Sequence, residues 1–297
     1  SAKQTLRKVY PQALMFFQNE LDRLLAGNDS FKWTRILSVM QETNDLSNDI
    51  LYNTAAARVI CEPKVYTTEI QDARKNAADE LYAAANSCLK LNSKEQSRNA
   101  FRLFLQVSAI NPVFPGINEK LNEARSNATF NVLINAVTLD FNTLDVSTKK
   151  IDKEIFYWTQ REVSRHPFVR FYTFTDADRL NIDPDYIVSL VVQDYRVDRL
   201  AMARPGGVQS GSTSSNLVAN GNLLLGINAV SSGKQVYKKR ILCRFDSETK
   251  STVRVNTVDL QRVLDPDIQT FFDYMLLSNF DRITNEIDTY FSTLEVQ

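Results

Sequence analysis

Residues 100–112 read Ala100-Phe101-Arg102-Leu103-Phe104-Leu105-Gln106-Val107-Ser108-Ala109-Ile110-Asn111-Pro112. Ala100 and Phe104 lie four apart, so on a helix they share one face. A small residue there lets a neighbouring helix approach closely, and the aromatic fills the groove that this approach creates. Asn111-Pro112 ends the helix, because proline has no backbone N–H to donate. This is a code for packing helix on helix, not for catalysis.

The stretch reads as the second helix of a tetratricopeptide-like pair. Its partner is expected to start near Thr68 and run to about Leu91, with Ile70, Ala73, Ala77, Leu81, Ala84, Ala85 and Cys88 on one face. Asn92-Ser93 turns the chain, and Ser93 offers an N-cap. Upstream, Leu6, Val9, Tyr10, Leu14, Phe17, Leu21, Leu24 and Leu25 predict a helix over about 5–26. Trp33, Ile36, Leu37, Met40, Leu46 and Ile50 predict a second after the 27–30 turn. Residues 54–67 read as a linker with a short helix over its alanines. Pro115-Gly116 introduces a last helix through Leu121 and Ala124.

The period changes after residue 128. Phe130-Asn131-Val132-Leu133-Ile134 opens a strand that is expected to reach Leu139. A helix over 148–165 turns Ile151, Ile155 and Trp158 inward, and Phe168–Phe174 is a second strand. Residues 186–200 form a third, apolar on both faces through Val192 and alternating beyond it. Residues 205–222, rich in Gly, Ser, Asn and Thr, read as a long mobile loop. Strands are expected at 234–246 and 252–260, and one long helix at 267–294. The expected fold class is therefore α plus α/β, with a helical domain over 1–127 and a small mixed-sheet domain over 128–297.

Composition narrows the function. Lys plus Arg and Asp plus Glu both number 35 in 297 residues, so no net charge draws the chain to nucleic acid. No apolar run approaches the roughly 18 residues of a membrane span. Cys61, Cys88 and Cys243 are isolated and read as buried small hydrophobes, not as a disulfide framework or zinc site. The one histidine, His166, precedes Pro167 and reads as a capping or exposed residue. Gly233-Lys234 is followed by Gln235, which breaks the phosphate-loop pattern, and no Gly-x-Gly-x-x-Gly occurs. No metal, cofactor or catalytic residue is expected.

In order, the helical region, Phe130–Ile134, Asp185-Tyr186-Ile187-Val188, Val236-Tyr237-Lys238-Lys239 and Thr257-Val258-Asp259-Leu260 resemble envelope lipoproteins of Bacteroidetes-type bacteria. Their second domain is similar to the curli secretion component and to the amino-terminal domain of TolB. The resemblance covers most of residues 68–262. It implies a lipid-tethered protein at the periplasm or outer membrane, with a cytoplasmic location as the alternative. The sequence opens Ser1-Ala2-Lys3-Gln4 without a lipid-bearing cysteine, so membrane attachment is expected only through an anchor outside it.

The expected function is non-enzymatic: a protein-binding scaffold or assembly component of a bacterial cell envelope. Arg74, Asn76 and Glu80 are the candidate polar lining of a groove on the third long helix. Two other readings stay open. Asp176 with Asp178, and Asp183 with Asp185, are paired carboxylates of the kind a hydrolase uses. Tyr237, Lys238, Lys239, Arg240 and Phe245 on strand 234–245 would suit RNA. Residues 234–254 carry a net charge of +5 and residues 265–297 a net charge of −6. The expectation is that the acidic helix neutralises the basic hairpin within the fold.

Overall fold

The computed structural model describes residues 2–142, 144–161, 166–201, 215–246 and 268–296. The chain divides into two compact units, Ser1–Ala128 and Thr129–Gln297. It combines helices with a mixed six-stranded sheet.

The first unit holds α1 (Ala2–Ala26), α2 (Lys32–Tyr52), α3 (Thr54–Ala57), α4 (Thr68–Lys90), α5 (Lys94–Ile110) and α6 (Ile117–Ala128). Long helices pack on their neighbours in sequence: α1 on α2, α2 on α4, α4 on α5 and α5 on α6. Ser93 is extended and accepts from Gln96 N at 3.2 Å, which caps α5. Phe104 is fully buried among Ala78, Ala85, Ala100 and Ala124, with the Tyr82 ring centroid 5.4 Å from its own. The small residues bring the backbones together and the aromatic fills the space.

A second cluster joins Leu21 and Leu24 of α1, Ile36 and Leu37 of α2, and Tyr66, Ile70 and Ala73. The linker before α4 is fastened to it by polar side chains. Asn44 clasps the Tyr66 backbone from both sides, accepting from N at 2.7 Å and donating to O at 2.8 Å. Lys64 N donates to Tyr10 Oη at 2.8 Å, and Ser47 Oγ donates to Lys64 O at 2.5 Å. Helix side chains thus satisfy linker backbone groups that have no ladder partner.

The second unit holds β1 (Phe130–Ile134), β2 (Thr138–Leu139), α7 (Lys149–Arg161), β3 (Val169–Thr173), α8 (Phe174–Leu180), β4 (Tyr186–Ala201), β5 (Ser215–Ala229), β6 (Lys234–Asp246), α9 (Ile268–Ser278) and α10 (Phe280–Val296). The strand order is β3-β1-β4-β5-β6, with β2 also on β4. β1 runs parallel to β3 and β4, whereas β4, β5 and β6 form an antiparallel meander. β4 is thus the hinge between a parallel and an antiparallel half.

An irregularity between Val192 and Asp194 explains why the β4 pattern changes there. Before it, Val188, Leu190 and Val192 are buried; after it, Tyr195 is. The extra residue, Gln193, moves the core-facing set from even to odd positions. Tyr195 then donates to Ile268 O at 2.8 Å. The core joins this face to Trp158 of α7, Phe272 and Met275 of α9, and Ile287 and Phe291 of α10.

Several expectations need correction. Residues 215–222 are not loop but the first half of β5, which lies between β4 and β6. The rest of the expected loop, 205–214, lies outside the described residues, as does the expected strand at 252–260. Glycine and asparagine had masked an alternation that burial now shows, with Ala219, Gly221, Leu223 and Leu225 inward. At Gly221 a Cβ would come within 2.8 Å of Asp194 O and of Met275, so a side chain there would collide. The expected single C-terminal helix is broken at Asn279 into α9 and α10. The expected strand over 130–139 is likewise two strands, β1 and β2.

Candidate functional site

On α4, Arg74 is exposed, Asn76 half-buried and Glu80 half-buried. At 100° per residue, Asn76 and Glu80 share a face, while Arg74 projects from another. Glu80 has a structural task. Phe31 precedes α2 in a left-handed conformation and has no side chain able to cap it. Glu80 Oε2 accepts from Trp33 N at 3.1 Å instead, placing a carboxylate at the positive end of α2. No sequence-local signal reveals a cap supplied from 47 residues away.

One member of each acidic pair is drawn into the fold. Asp176 is buried, accepting from Thr173 Oγ1 at 3.1 Å and Arg179 Nη2 at 3.0 Å. Asp185 Oδ2 accepts from Asn131 N at 2.8 Å, and Asp185 N donates to Asn131 O at 2.8 Å, pinning the start of β4 to β1. Asp178 and Asp183 are exposed. Among the described residues, no group of His, Cys, Asp and Glu is arranged to hold a metal ion.

His166 is not exposed: it retains 6% of its surface and sits 3.5 Å from Asp288 of α10, with its ring edge-on to Phe171. Cys243 is buried, as expected, but Cys88 is half-buried and Cys61 exposed. Two open clefts flank the start of α8. One, about 320 Å³, lies at the carboxyl ends of β1 and β3 and is walled by Ile134, Ile155, Phe156 and Phe174, with Asp152 and Asp176. Asp152 is committed there: it accepts from Val137 N and from Thr148 Oγ1, each at 2.8 Å. The other, about 220 Å³, lies between Leu133 and the far side of α8.

The basic strand resolves into two faces. Tyr237, Lys239, Ile241, Cys243 and Phe245 turn toward the helices, whereas Val236, Lys238, Arg240, Leu242 and Arg244 turn to solvent. Glu286 of α10 accepts from Tyr237 Oη at 3.0 Å and from Lys239 Nζ at 2.6 Å. The Lys239 hydrogen bond holds the Glu286 carboxyl below its usual range, with Tyr237 helping. Phe245 stacks on Tyr274 at 5.1 Å. The aromatic-and-basic surface suited to RNA is therefore divided between opposite sides of the sheet. Strand alternation, read at period two, was the signal that separates them. Among the described residues, Lys239 is the basic side chain of this strand that the acidic helix pairs with; Arg244 pairs with Asp246 at 3.6 Å on its own strand.

No family model and no curated protein sequence matches the chain. Among solved structures, it is similar to a hypothetical protein from Chlamydia trachomatis at 10% identity and a TM-score of 0.33, covering 55% of this chain and 98% of that one. It is similar to a lipoprotein from Neisseria meningitidis at 9% identity and a TM-score of 0.27, covering 54% and 99%. A minor lipoprotein from Acinetobacter baumannii matches at 10% identity and a TM-score of 0.29, covering 54% and 93%.

Proposed function

We propose that the chain is a non-enzymatic, protein-binding scaffold of a bacterial cell envelope, with tetratricopeptide-like helices as its binding unit. The observation that carries this reading is the succession of long helices, each packed on its neighbour in sequence, with α4, α5 and α6 joined through alanines and one buried aromatic. Elements stacked in this one-dimensional way leave extended faces for a partner segment. On α4, Arg74 and Asn76 are the contact candidates, and Glu80 stabilises α2. The cell-envelope location rests on the resemblance in the order of sequence elements. The commitment of Asp176 and Asp185 to hydroxyl and backbone partners favours a scaffold over a hydrolase.

The test uses the full chain as bait in a bacterial envelope extract, beside a variant carrying Arg74→Glu and Asn76→Ala. A protein captured by the parent and lost from the variant supports the assignment. Equal capture by both moves the binding face off α4, and no capture from envelope fractions overturns the function.

A further inference from the structure

We propose that the solvent face of the β5–β6 hairpin docks onto an anionic lipid surface through Lys238 and Arg240, with Val236 and Leu242 entering the headgroup region. Three observations converge on this face. The first is charge. Lys238 and Arg240 have no carboxylate partner among the described residues, although the chain as a whole is neutral. Across the sheet, Lys238 lies beside Gly226 and Ser189, and Arg240 beside Leu224 and Val191. These two rows hold no acid. The acids of the meander lie beyond these two rows: Asp194 stands in the Leu242 row, where it accepts from Asn222 N at 2.8 Å and Asn222 Nδ2 at 2.6 Å, while Asp246 pairs with Arg244 and Asp198 with Arg196.

The second is apolar exposure on the same strand and its turn. Leu242 is 64% exposed and Val236 44%, and Val230 at the hairpin turn is 45% exposed. Cations interleaved with exposed aliphatic side chains match a lipid interface, where phosphate meets hydrocarbon. A purely ionic polymer would give the aliphatic groups nothing to enter.

The third is that the face, not the edge, is offered. The outward carbonyls of Leu242 and Arg244 accept from Arg282 Nη1 at 3.1 Å and Asn279 Nδ2 at 3.2 Å. A strand adding to β6 at this end would have to displace both. Among the described residues no helix is long and apolar enough to cross a membrane, so contact through this unit is peripheral.

The experiment is co-sedimentation of the full chain with phosphatidylcholine vesicles, with and without about one-third phosphatidylglycerol. Each basic side chain near an anionic surface contributes about fivefold to partitioning, so Lys238→Gln with Arg240→Gln lowers binding about 25-fold. Leu242→Ser lowers it several-fold with no change of charge. Lys8→Gln with Lys75→Gln, the same charge loss on the other unit, leaves it unchanged. Far-UV circular dichroism and the melting temperature confirm that each variant is folded. Equal binding to neutral and anionic vesicles, or equal loss in both double variants, overturns the proposal. So does retention by polyglutamate or single-stranded RNA at the same salt with no vesicle binding, which would make the face a site for an acidic macromolecule.

Discussion

Replacing Phe104 with alanine tests the packing code at its centre. Phe104 is fully buried, and Ala78, Ala85, Ala100 and Ala124 around it have no rotamers with which to close a void. The Tyr82 ring is held on its far side by Phe114 at 4.8 Å. Buried Phe→Ala substitutions cost about 3–5 kcal/mol, and a site that cannot collapse belongs near the middle or top of that range. The expected loss is therefore about 4 kcal/mol. For a unit spanning Ser1–Ala128, about 2.1 cal/mol/K per residue gives an unfolding entropy of about 0.27 kcal/mol/K and a melting shift of about 15 °C. The chain has two tryptophans, Trp33 in the first unit and Trp158 in the second. In a Trp158→Phe background, Trp33 fluorescence during urea unfolding reports on the helical unit alone. Tyr52→Ala, at a site 87% exposed, serves as the control and is expected to change stability by less than about 0.5 kcal/mol. A Phe104→Ala loss below about 1.5 kcal/mol would refute the claim that this interlock holds the helices together.

Gly221→Ala is expected to destabilise the second unit by about 1–3 kcal/mol, because Cβ meets the Asp194 carbonyl and Met275 of α9 at 2.8 Å; urea unfolding followed by Trp158 fluorescence measures it. The lowered Glu286 pKa, set first by the Lys239 hydrogen bond, contributes stability that is present above the unfolded glutamate value of about 4.3 and lost as pH falls through the lowered folded value. Glu286→Gln should cost about 1 kcal/mol at neutral pH and flatten the acid side of the stability curve, read from urea midpoints across pH. Burial pushes the Cys243 thiol up to about 11, so at pH 8 a thiol reagent should modify exposed Cys61 rapidly and Cys243 only on unfolding.

Much of the local architecture was legible in the chain. Ser93 caps α5 as its position predicts, Asn111-Pro112 marks the end of that helix, and the Ala100–Phe104 spacing yields a buried pair. Helical period and cap chemistry act within a few residues, so a short window contains their cause. The candidate site was less legible. Glu80, read as groove lining, caps a helix 47 residues upstream. His166, read as a capping or exposed residue, is buried against α10.

Sequence alone determined the helical first half, the change of period after residue 128, and the presence of a strand over 234–246, because each follows from the pattern of side chains along one element. Only the tertiary structure decided that β5 lies between β4 and β6, that Asn44 clasps the Tyr66 backbone, and that Lys239 meets Glu286 while Lys238 and Arg240 face solvent. The physical reason is that alternation fixes which residues share a side of a strand. What covers each side is set by elements distant in sequence, here α9 and α10, whose placement no local pattern encodes.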